Sequence, residues 1–541
     1  MRKLLCVAVV LGTVVAPPAS VLAQHSKSNA KWITAGQLRD YLTFVASDEM
    51  EGRNTPSRGL DTTALFISTL LKRWGAKPAG DDGTFFQRIT LRRDSPDADK
   101  SRLQIGDQAL TYGQDYVSSG GEGTAAAPLV YVGDGWLVKG SNIDDYKGID
   151  AKGKIVVVNY GNGFLPPRGL GRADLTGVQG TDWANARTYA KQKGAVGILF
   201  VTPASMQADW DRLRLRDAQA RWSPEKFRVP GDADLPIVTV GPKTTAALFQ
   251  GERADAGAID KAVTDKTPVA AFDLSPGKKV TLTSGVKIER AMTQNVVAVF
   301  EGSDPALKDE YVAVGAHYDH LGLAVRPVKG DAVYNGADDD GSGTVALIGM
   351  AEALSHAKQR PKRSTLFVWH CGEEKGLWGS RYFNMLPTVP SDRIITQLNI
   401  DMIGRSRAAD DTKPADKNLS GPDEVYVIGS KMMSSDLGAL SEKVNNGYLK
   451  LQFNYRYDDP KDPNRFFFRS DHFNYAQKGI PIIFYFDGVH EDYHGLGDEV
   501  QKIDFNKMER VTRTVYETLW AVSNLKKRPV IDKKLPAELT R

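Results

Sequence analysis

The sequence predicts an α/β protein, a three-layer α/β/α sandwich with a mixed, largely parallel sheet, plus a β-rich inserted domain. Three observations favour this class. From residue 295 onward, short apolar runs alternate with helical patterns, which is typical of a layered α/β domain. Residues 122–268 instead contain short apolar runs separated by Gly- and Asp-rich turns. A length of 541 residues also exceeds that of one ordinary domain.

The strands of the α/β part are short and apolar, as expected for strands buried on both faces. We expect them at Val296–Phe300, Tyr311–Ala316, Thr365–His370, Ile395–Ile400, Glu424–Ile428 and Pro481–Phe486. Helices are predicted between and after them, at Thr344–His356 and Phe505–Ser523. In the first of these helices, apolar residues recur at the i, i+3, i+4, i+7 spacing of one helical face.

The chain is divided as follows. Residues 1–23 are a predicted signal peptide, residues 24–121 the first part of the α/β domain, residues 122–268 the insert, and residues 269–541 the remainder of the α/β domain. The first part carries helical patterns at Thr34–Val45 and Asp61–Trp74.

The signal peptide is predicted from three adjacent features. Arg2 and Lys3 precede the apolar run Leu4–Ala16, and small or short residues at 21–23 precede an expected cut before Gln24. An apolar core below about 18 residues is too short for a stable membrane anchor. We therefore expect a periplasmic or secreted protein that carries no anchor after the signal is removed.

Composition excludes some classes of function. The 70 basic and 66 acidic residues give a net charge of +4, without the strong basic excess of a nucleic-acid-binding protein. After removal of the signal, Cys371 is the remaining cysteine, so no internal disulfide is expected. We interpret Cys371 as a small core residue.

Imidazoles and carboxylates follow several of the predicted strands. Parallel strands bring such positions to one edge of the sheet. Clustered carboxylates repel one another unless cations lie between them, and imidazole with carboxylate suits zinc. Two histidines and three carboxylates suffice for two ions that share one carboxylate, and the candidate positions are His317, the run Asp338–Asp340, the pair Glu373–Glu374, Asp401 and His494. Asp319, two residues after His317, is expected to accept the other N–H of that imidazole. His320, His356 and His370 are interpreted as structural, with His370 the strongest candidate to support a ligand.

Residues 490–494 match the H-E-x-x-H motif of single-zinc proteases. That motif needs a sustained helix, whereas glycines at 488, 495 and 497 predict a short, broken segment here. We therefore disfavour the interpretation of this chain as a single-zinc protease.

The motif set resembles that of the co-catalytic zinc exopeptidases, which include bacterial leucyl aminopeptidases and glutamate carboxypeptidases. The resemblance covers residues 295–520, residues 35–90 resemble the usual N-terminal segment, and the insert resembles a protease-associated domain. It rests on His317–Asp319, Gly336–Gly343, Glu373–Glu374, Asn399–Met402 and Ser470–His472.

This resemblance implies a role for each residue. Asp339 would bridge two zinc ions, His317 and Asp401 would complete one ion's ligands, and Glu374 and His494 the other's. Glu373 would be the general base toward a water shared by the ions, and the substrates would be peptides cleaved at the N-terminus. The family's tyrosine is missing from Arg465–Arg469, which leaves Tyr455, Tyr457 and Tyr485 as candidates to stabilise the oxyanion.

Three alternatives remain open on the same scaffold. A carboxypeptidase would need a basic pocket, for which Arg456, Arg465 and Arg469 are available. A glutaminyl cyclase would hold one zinc ion. A non-catalytic binding relative would lack ligands, whereas all five positions carry ligand-type residues here.

Overall fold

The computed structural model describes residues 28–160, 166–171, 174–217, 220–228 and 235–535, without the side chains of 213 and 215–217. The predicted signal peptide, 1–23, lies outside the described residues. Two compact units are present. One combines the chain up to Ile89 with the chain from Met292, and the other is Thr90–Ala291.

The first unit is built on a mixed sheet. Its strands are β1 (Phe86–Pro96), β2 (Val286–Phe300), β3 (Tyr311–His317), β4 (Ser364–His370), β5 (Ile394–Ile400), β6 (Glu424–Ile428), β7 (Gln452–Asn454) and β8 (Ile482–Phe486). Neighbouring strands follow the order β1-β2-β4-β3-β5-β8-β6-β7. Pairs β3–β4, β3–β5 and β5–β8 are parallel, whereas β2–β4 and β6–β8 are antiparallel.

Helices cover both faces of this sheet. The main helices are α1 (Ala35–Val45), α2 (Arg58–Arg73), α3 (Gly343–Ser355), α4 (Trp378–Met385), α5 (Ser435–Gly447), α6 (His472–Gln477) and α7 (Phe505–Ser523). Phe383 of α4 and Tyr475 of α6 share a core with Leu366 and Val368 of β4. Trp369, on the opposite face of the same strand, donates a hydrogen bond to the Thr344 carbonyl of α3 at 3.0 Å. The predicted three-layer α/β/α class is therefore confirmed.

The helix boundaries follow from local capping. The Thr34 side chain accepts the N–H of Gln37, and the Gln37 side chain accepts the N–H of Thr34, so that the two form a capping box at the start of α1. Asp504 caps α7 in a similar way through the N–H of Lys507. None of the helices within the described ranges combines the length and apolar character that crossing a bilayer requires.

The second unit contains two main sheets. One has parallel strands Leu129–Tyr131, Ile155–Asn159, Gly197–Val201 and Ile237–Val240. In the other, Val280–Ser284 lies between Arg102–Ile105 and Gly123–Ala127, antiparallel to both. The unit thus begins before and ends after the predicted insert 122–268. The reason is that strands on the two sides of the predicted boundaries pair with each other, a long-range contact that composition does not reveal.

Candidate metal centre

The predicted ligands lie at one edge of the first unit's sheet. His317 is the last residue of β3, Asp401 directly follows β5, and Glu373 and Glu374 follow β4. Asp339 lies in the irregular turn Ala337–Ser342 ahead of α3, and His494 in the loop after β8. Because β3, β4 and β5 are parallel neighbours, their carboxyl ends meet at this edge.

One half of the site surrounds His317. Its Nε2 lies 3.3 Å from Asp339 Oδ1 and 3.6 Å from Asp401 Oδ1. Glu373 is at its border, with Oε2 4.0 Å from the same nitrogen. These spacings are those of side chains that point to a common centre.

The other half surrounds His494. Its Nε2 lies 3.2 Å from Asp339 Oδ2 and 3.2 Å from Glu374 Oε2. Asp339 therefore directs one carboxylate oxygen into each half. His320, for which we predicted a structural role, also lies here, with Nδ1 2.9 Å from Glu374 Oε1.

Asp340 is a second carboxylate close to His317 and Asp401, and the three could form a cation-binding group. Its oxygens already accept the backbone N–H groups of His317, Gly343 and Met402, at 3.2, 2.9 and 3.1 Å. Because the Asp340 carboxylate already accepts these three hydrogen bonds, its role is to hold the loop before α3. Asp339 is therefore the better-placed ligand.

The loop that carries Asp339 is fixed by a buried arginine. Arg53 is fully buried and donates hydrogen bonds to the carbonyl oxygens of Val45 (2.7 Å), Tyr318 (3.0 Å), Asn335 (2.7 Å) and Gly336 (2.9 Å). It ties the segment after β3 to the loop before α3. Burial lowers the pKa of Arg53 to about 10, against the raising effect of Asp319 and Asp498.

Asp319 contacts His317 differently from the prediction. Strand β3 ends at His317, and the Nδ1 of His317 lies 3.1 Å from the backbone carbonyl oxygen of Asp319. The Asp319 carboxylate, 3.7 Å from that nitrogen, accepts the backbone N–H of Glu373 at 3.0 Å. Asp319 thus fixes both the imidazole of His317 and the start of the Glu373–Glu374 segment.

The two histidines of the H-E-x-x-H string do not converge. No helix forms at 490–494, and His490 Nε2 lies 3.3 Å from Asp338 Oδ2, whereas His494 faces Asp339. The Asp498 carboxylate accepts the N–H groups of Asp338 and Asp339, both at 3.0 Å. His490 and Asp498 hold the loop, and this geometry also disfavours the single-zinc interpretation.

The ionisable groups of the site shift one another's pKa values. Burial alone would raise the pKa of Asp339, but the adjacent imidazoles of His317 and His494 hold it well below its usual range. Burial opposes protonation of His494, yet the Asp339 and Glu374 carboxylates raise its pKa to about 10. Burial, reinforced by neighbouring carboxylates, raises the pKa of Glu373 well above its usual value.

A small cavity opens beside these groups. Arg469 and Tyr493 lie in its wall, and the Tyr493 hydroxyl accepts a hydrogen bond from the Arg469 guanidinium at 3.1 Å. Asp339, Glu373, Asp401 and His494 line the polar side. The apolar lining residues are Met402, Phe466, Phe484, Phe486 and Val489.

The tyrosines that we considered for the oxyanion are engaged elsewhere. The Tyr455 hydroxyl donates to Glu442 at 2.8 Å, and the Tyr485 hydroxyl pairs with Ser441 at 3.1 Å. Tyr457 is buried against Tyr426 in the apolar core. His370 is likewise a core residue, 3.2 Å from the Tyr475 hydroxyl, and burial lowers its pKa to about 3.

Four further residues of the site were not predicted from sequence, because their partners lie far away along the chain. They are Arg53, His320, His490 and Asp498.

Fold and site together define an α/β protein with two adjacent groups of carboxylates and imidazoles, each of which could hold a cation. Residues 295–519 match the model of peptidase family M28.

Curated proteins and a solved structure are also similar to this chain. A "probable zinc metalloprotease" from Leptosphaeria maculans is 30% identical over 257 residues, covering 42% of this chain and 57% of that protein. Leucine aminopeptidase 2 from Arthroderma otae is 26% identical over 278 residues, 46% of this chain and 50% of that one. The chain thus spans about half the length of these curated relatives. The solved aminopeptidase from Aneurinibacillus sp. strain AM-1 shares the fold, with a TM-score of 0.50, 16% identity, and coverage of 94% of this chain and 98% of that one.

Proposed function

We propose that this protein is a metallo-exopeptidase that holds two zinc ions and removes N-terminal residues from peptides. The observation that carries the proposal is the Asp339 carboxylate, with one oxygen 3.3 Å from His317 Nε2 and the other 3.2 Å from His494 Nε2. A single carboxylate between two imidazoles suits two adjacent cations that share it.

The residues present fit such a pair of ions. Glu374 Oε1 and Asp339 Oδ2 are buried and lack a well-directed hydrogen bond within the described part of the chain, which is costly unless a cation compensates. His317, Asp339 and Asp401 would hold one ion, and Asp339, Glu374 and His494 the other. Bound zinc would polarise the scissile carbonyl and lower the pKa of an attacking water.

Glu373 is assigned the proton transfers. Its carboxylate borders the cavity, and Asp319 fixes its backbone N–H at 3.0 Å. The carboxylate takes a proton from the attacking water and delivers it to the leaving amine nitrogen, so it ends the cycle unprotonated. Only 11% of the Glu373 side chain is exposed, so few solvent molecules can compete for the proton that it transfers.

The cavity supports a preference for apolar side chains next to the scissile bond. Phe466, Phe484 and Phe486 form much of its wall. An apolar substrate side chain buried there gains about 25 cal/mol for each Å² removed from water.

A carboxypeptidase is the second candidate, because Arg469 lines the cavity and is exposed. A guanidinium can hold a terminal carboxylate by two parallel hydrogen bonds. Arg456 and Arg465 do not line the cavity but lie over the rings of Tyr457 and Phe468.

Activity on blocked dipeptides tests the proposal. With leucine- and phenylalanine-containing dipeptides, we expect cleavage when the C-terminus is amidated and none when the N-terminus is acetylated. The reverse pattern would make the enzyme a carboxypeptidase. Elemental analysis of the same preparation should give about two zinc ions per chain. One ion with cyclisation of N-terminal glutamine would indicate a glutaminyl cyclase, and metal without turnover a binding protein.

We also propose export to the periplasm or the medium, on the basis of the signal-like segment 1–23. A mature protein that begins at Gln24 in the exported fraction would support it. Retention of residues 1–23 in the cell would contradict it.

A further inference from the structure

His320 is a buried imidazole in the His494 half of the site. It has no solvent-exposed surface, and its ring lies against the backbone of Gly336, where a Cβ would come within 2.5 Å of the ring. Gly336 has a φ of 57°, in the left-handed region that glycine tolerates best. The loop before α3 therefore leaves room for this ring.

The Nδ1 atom of His320 faces the carboxylates. It lies 2.9 Å from Glu374 Oε1 and 3.9 Å from Asp339 Oδ2. Despite the short distance to Glu374, the direction does not meet hydrogen-bond geometry, and neither ring nitrogen has a well-directed partner in the described ranges. Nitrogen and oxygen atoms that lie close together without hydrogen-bond geometry are typical of ligands around a shared ion.

We propose that His320 is a second imidazole ligand, through Nδ1, of the ion held by Asp339, Glu374 and His494. This inference rests on the proposed two-zinc function. The group His320, Asp339 and Glu374 offers donor atoms within 4.8 Å of one another. The rings of His320 and His494 are 6.0 Å apart at 70°, so that two imidazoles can approach one centre from different sides.

The extra ligand makes the two halves unequal. The His317 half offers one imidazole with carboxylates from Asp339 and Asp401, whereas the His494 half offers two imidazoles. Nitrogen ligands favour zinc over manganese or magnesium, which prefer oxygen. The His494 half is therefore the more selective for zinc.

A role limited to positioning is the main alternative. In that case Nδ1–H would donate to Glu374 Oε1 and orient this ligand without touching the ion. An asparagine separates the two roles, because its Nδ2 takes nearly the position of the imidazole Nδ1. It can donate to Glu374, yet it is a poor zinc ligand.

The experiment compares His320→Asn, His320→Ala and wild type by zinc titration of the metal-free proteins in a chelator buffer. We expect two tight equivalents in wild type. In both variants one equivalent should weaken by about 100-fold or more, beyond the 10- to 100-fold typical of a lost outer contact. Recovery of near-wild-type affinity in His320→Asn alone would assign a positioning role and overturn the ligand. His356→Asn, at an exposed histidine stacked on Trp32, is the matched control.

A second measurement uses the wild-type protein and does not depend on variants that fold. Anomalous diffraction at the zinc edge from zinc-loaded crystals should place His320 Nδ1 about 2.0–2.1 Å from the ion. A distance above about 3 Å would overturn the inference. Wild type with two zinc ions and peptidase activity but no His320 contact refutes this inference alone, whereas wild type without zinc refutes the proposed function itself.

Discussion

His494 Nε2 lies 3.2 Å from Asp339 Oδ2, on the side of that carboxylate away from His317. The other oxygen, Oδ1, is 3.3 Å from His317 Nε2. Residues from the end of β3, the loop before α3 and the loop after β8 thus meet at one carboxylate, and each half of the site depends on it.

Replacing that carboxylate should weaken both halves. If the proposed pair of zinc ions is bound, Asp339→Ala removes a direct ligand from each ion, and we expect the affinity for both equivalents to fall by at least about 100-fold. Zinc titration against a chelator measures this. Asp309→Ala, at an exposed aspartate, should bind as wild type does. If Asp339→Ala keeps one equivalent at full affinity, the carboxylate is not shared.

Glu373→Gln should separate catalysis from metal binding. The amide cannot accept the water's proton, so we expect kcat to fall by about 100- to 10,000-fold while the zinc content stays at the wild-type value. Dipeptide-amide hydrolysis and elemental analysis on the same sample provide the two readings. The exposed Glu49→Gln is the control. A kcat within about twofold of wild type would remove Glu373 from the proton transfer.

Metal removal should destabilise the first unit. Without cations, the buried carboxylates of Asp339, Glu374 and Asp401 repel one another. Free zinc at about 100 times its Kd should stabilise the protein by about 2.7 kcal/mol for each site. We expect the thermal midpoint to fall on chelation and to recover with zinc. An unchanged midpoint would show that no ion is bound in the native state.

Arg53→Met should reduce stability because four buried carbonyl oxygens lose their donor. At about 1–3 kcal/mol for each unsatisfied group, partly relieved by relaxation, we expect a loss of at least about 3 kcal/mol. Urea denaturation provides the measurement, with the exposed Arg58→Met as the control. Equal midpoints for the two variants would contradict the role given to Arg53.

Cys371 should be inert in the folded protein. Burial raises the pKa of its thiol far above the usual range, so at pH 8 it is protonated as well as inaccessible. In protein that begins at Gln24, we expect an aromatic disulfide reagent to find almost no thiol under native conditions and about one per chain after denaturation. Rapid native reaction would show that the segment after β4 opens.

Much of this molecule could be predicted from local patterns. Strand β6 has the predicted bounds, Glu424–Ile428, and so does helix α7, Phe505–Ser523. Apolar periodicity and turn residues act over a few positions, so they can be recognised along the chain. The placement of ligand-type residues after strands follows in the same way, because parallel strands end at one edge.

Tertiary contacts decided the rest. Asp339 and Asp340 are neighbours of the same type, and only the backbone N–H groups around Asp340 commit it to the loop. His320 enters the site because the Asp339 loop, held by Arg53, passes beside it. The second unit extends beyond residues 122–268 because distant strands pair. Such choices depend on groups brought together from far along the chain, whereas local sequence specifies only which groups are available.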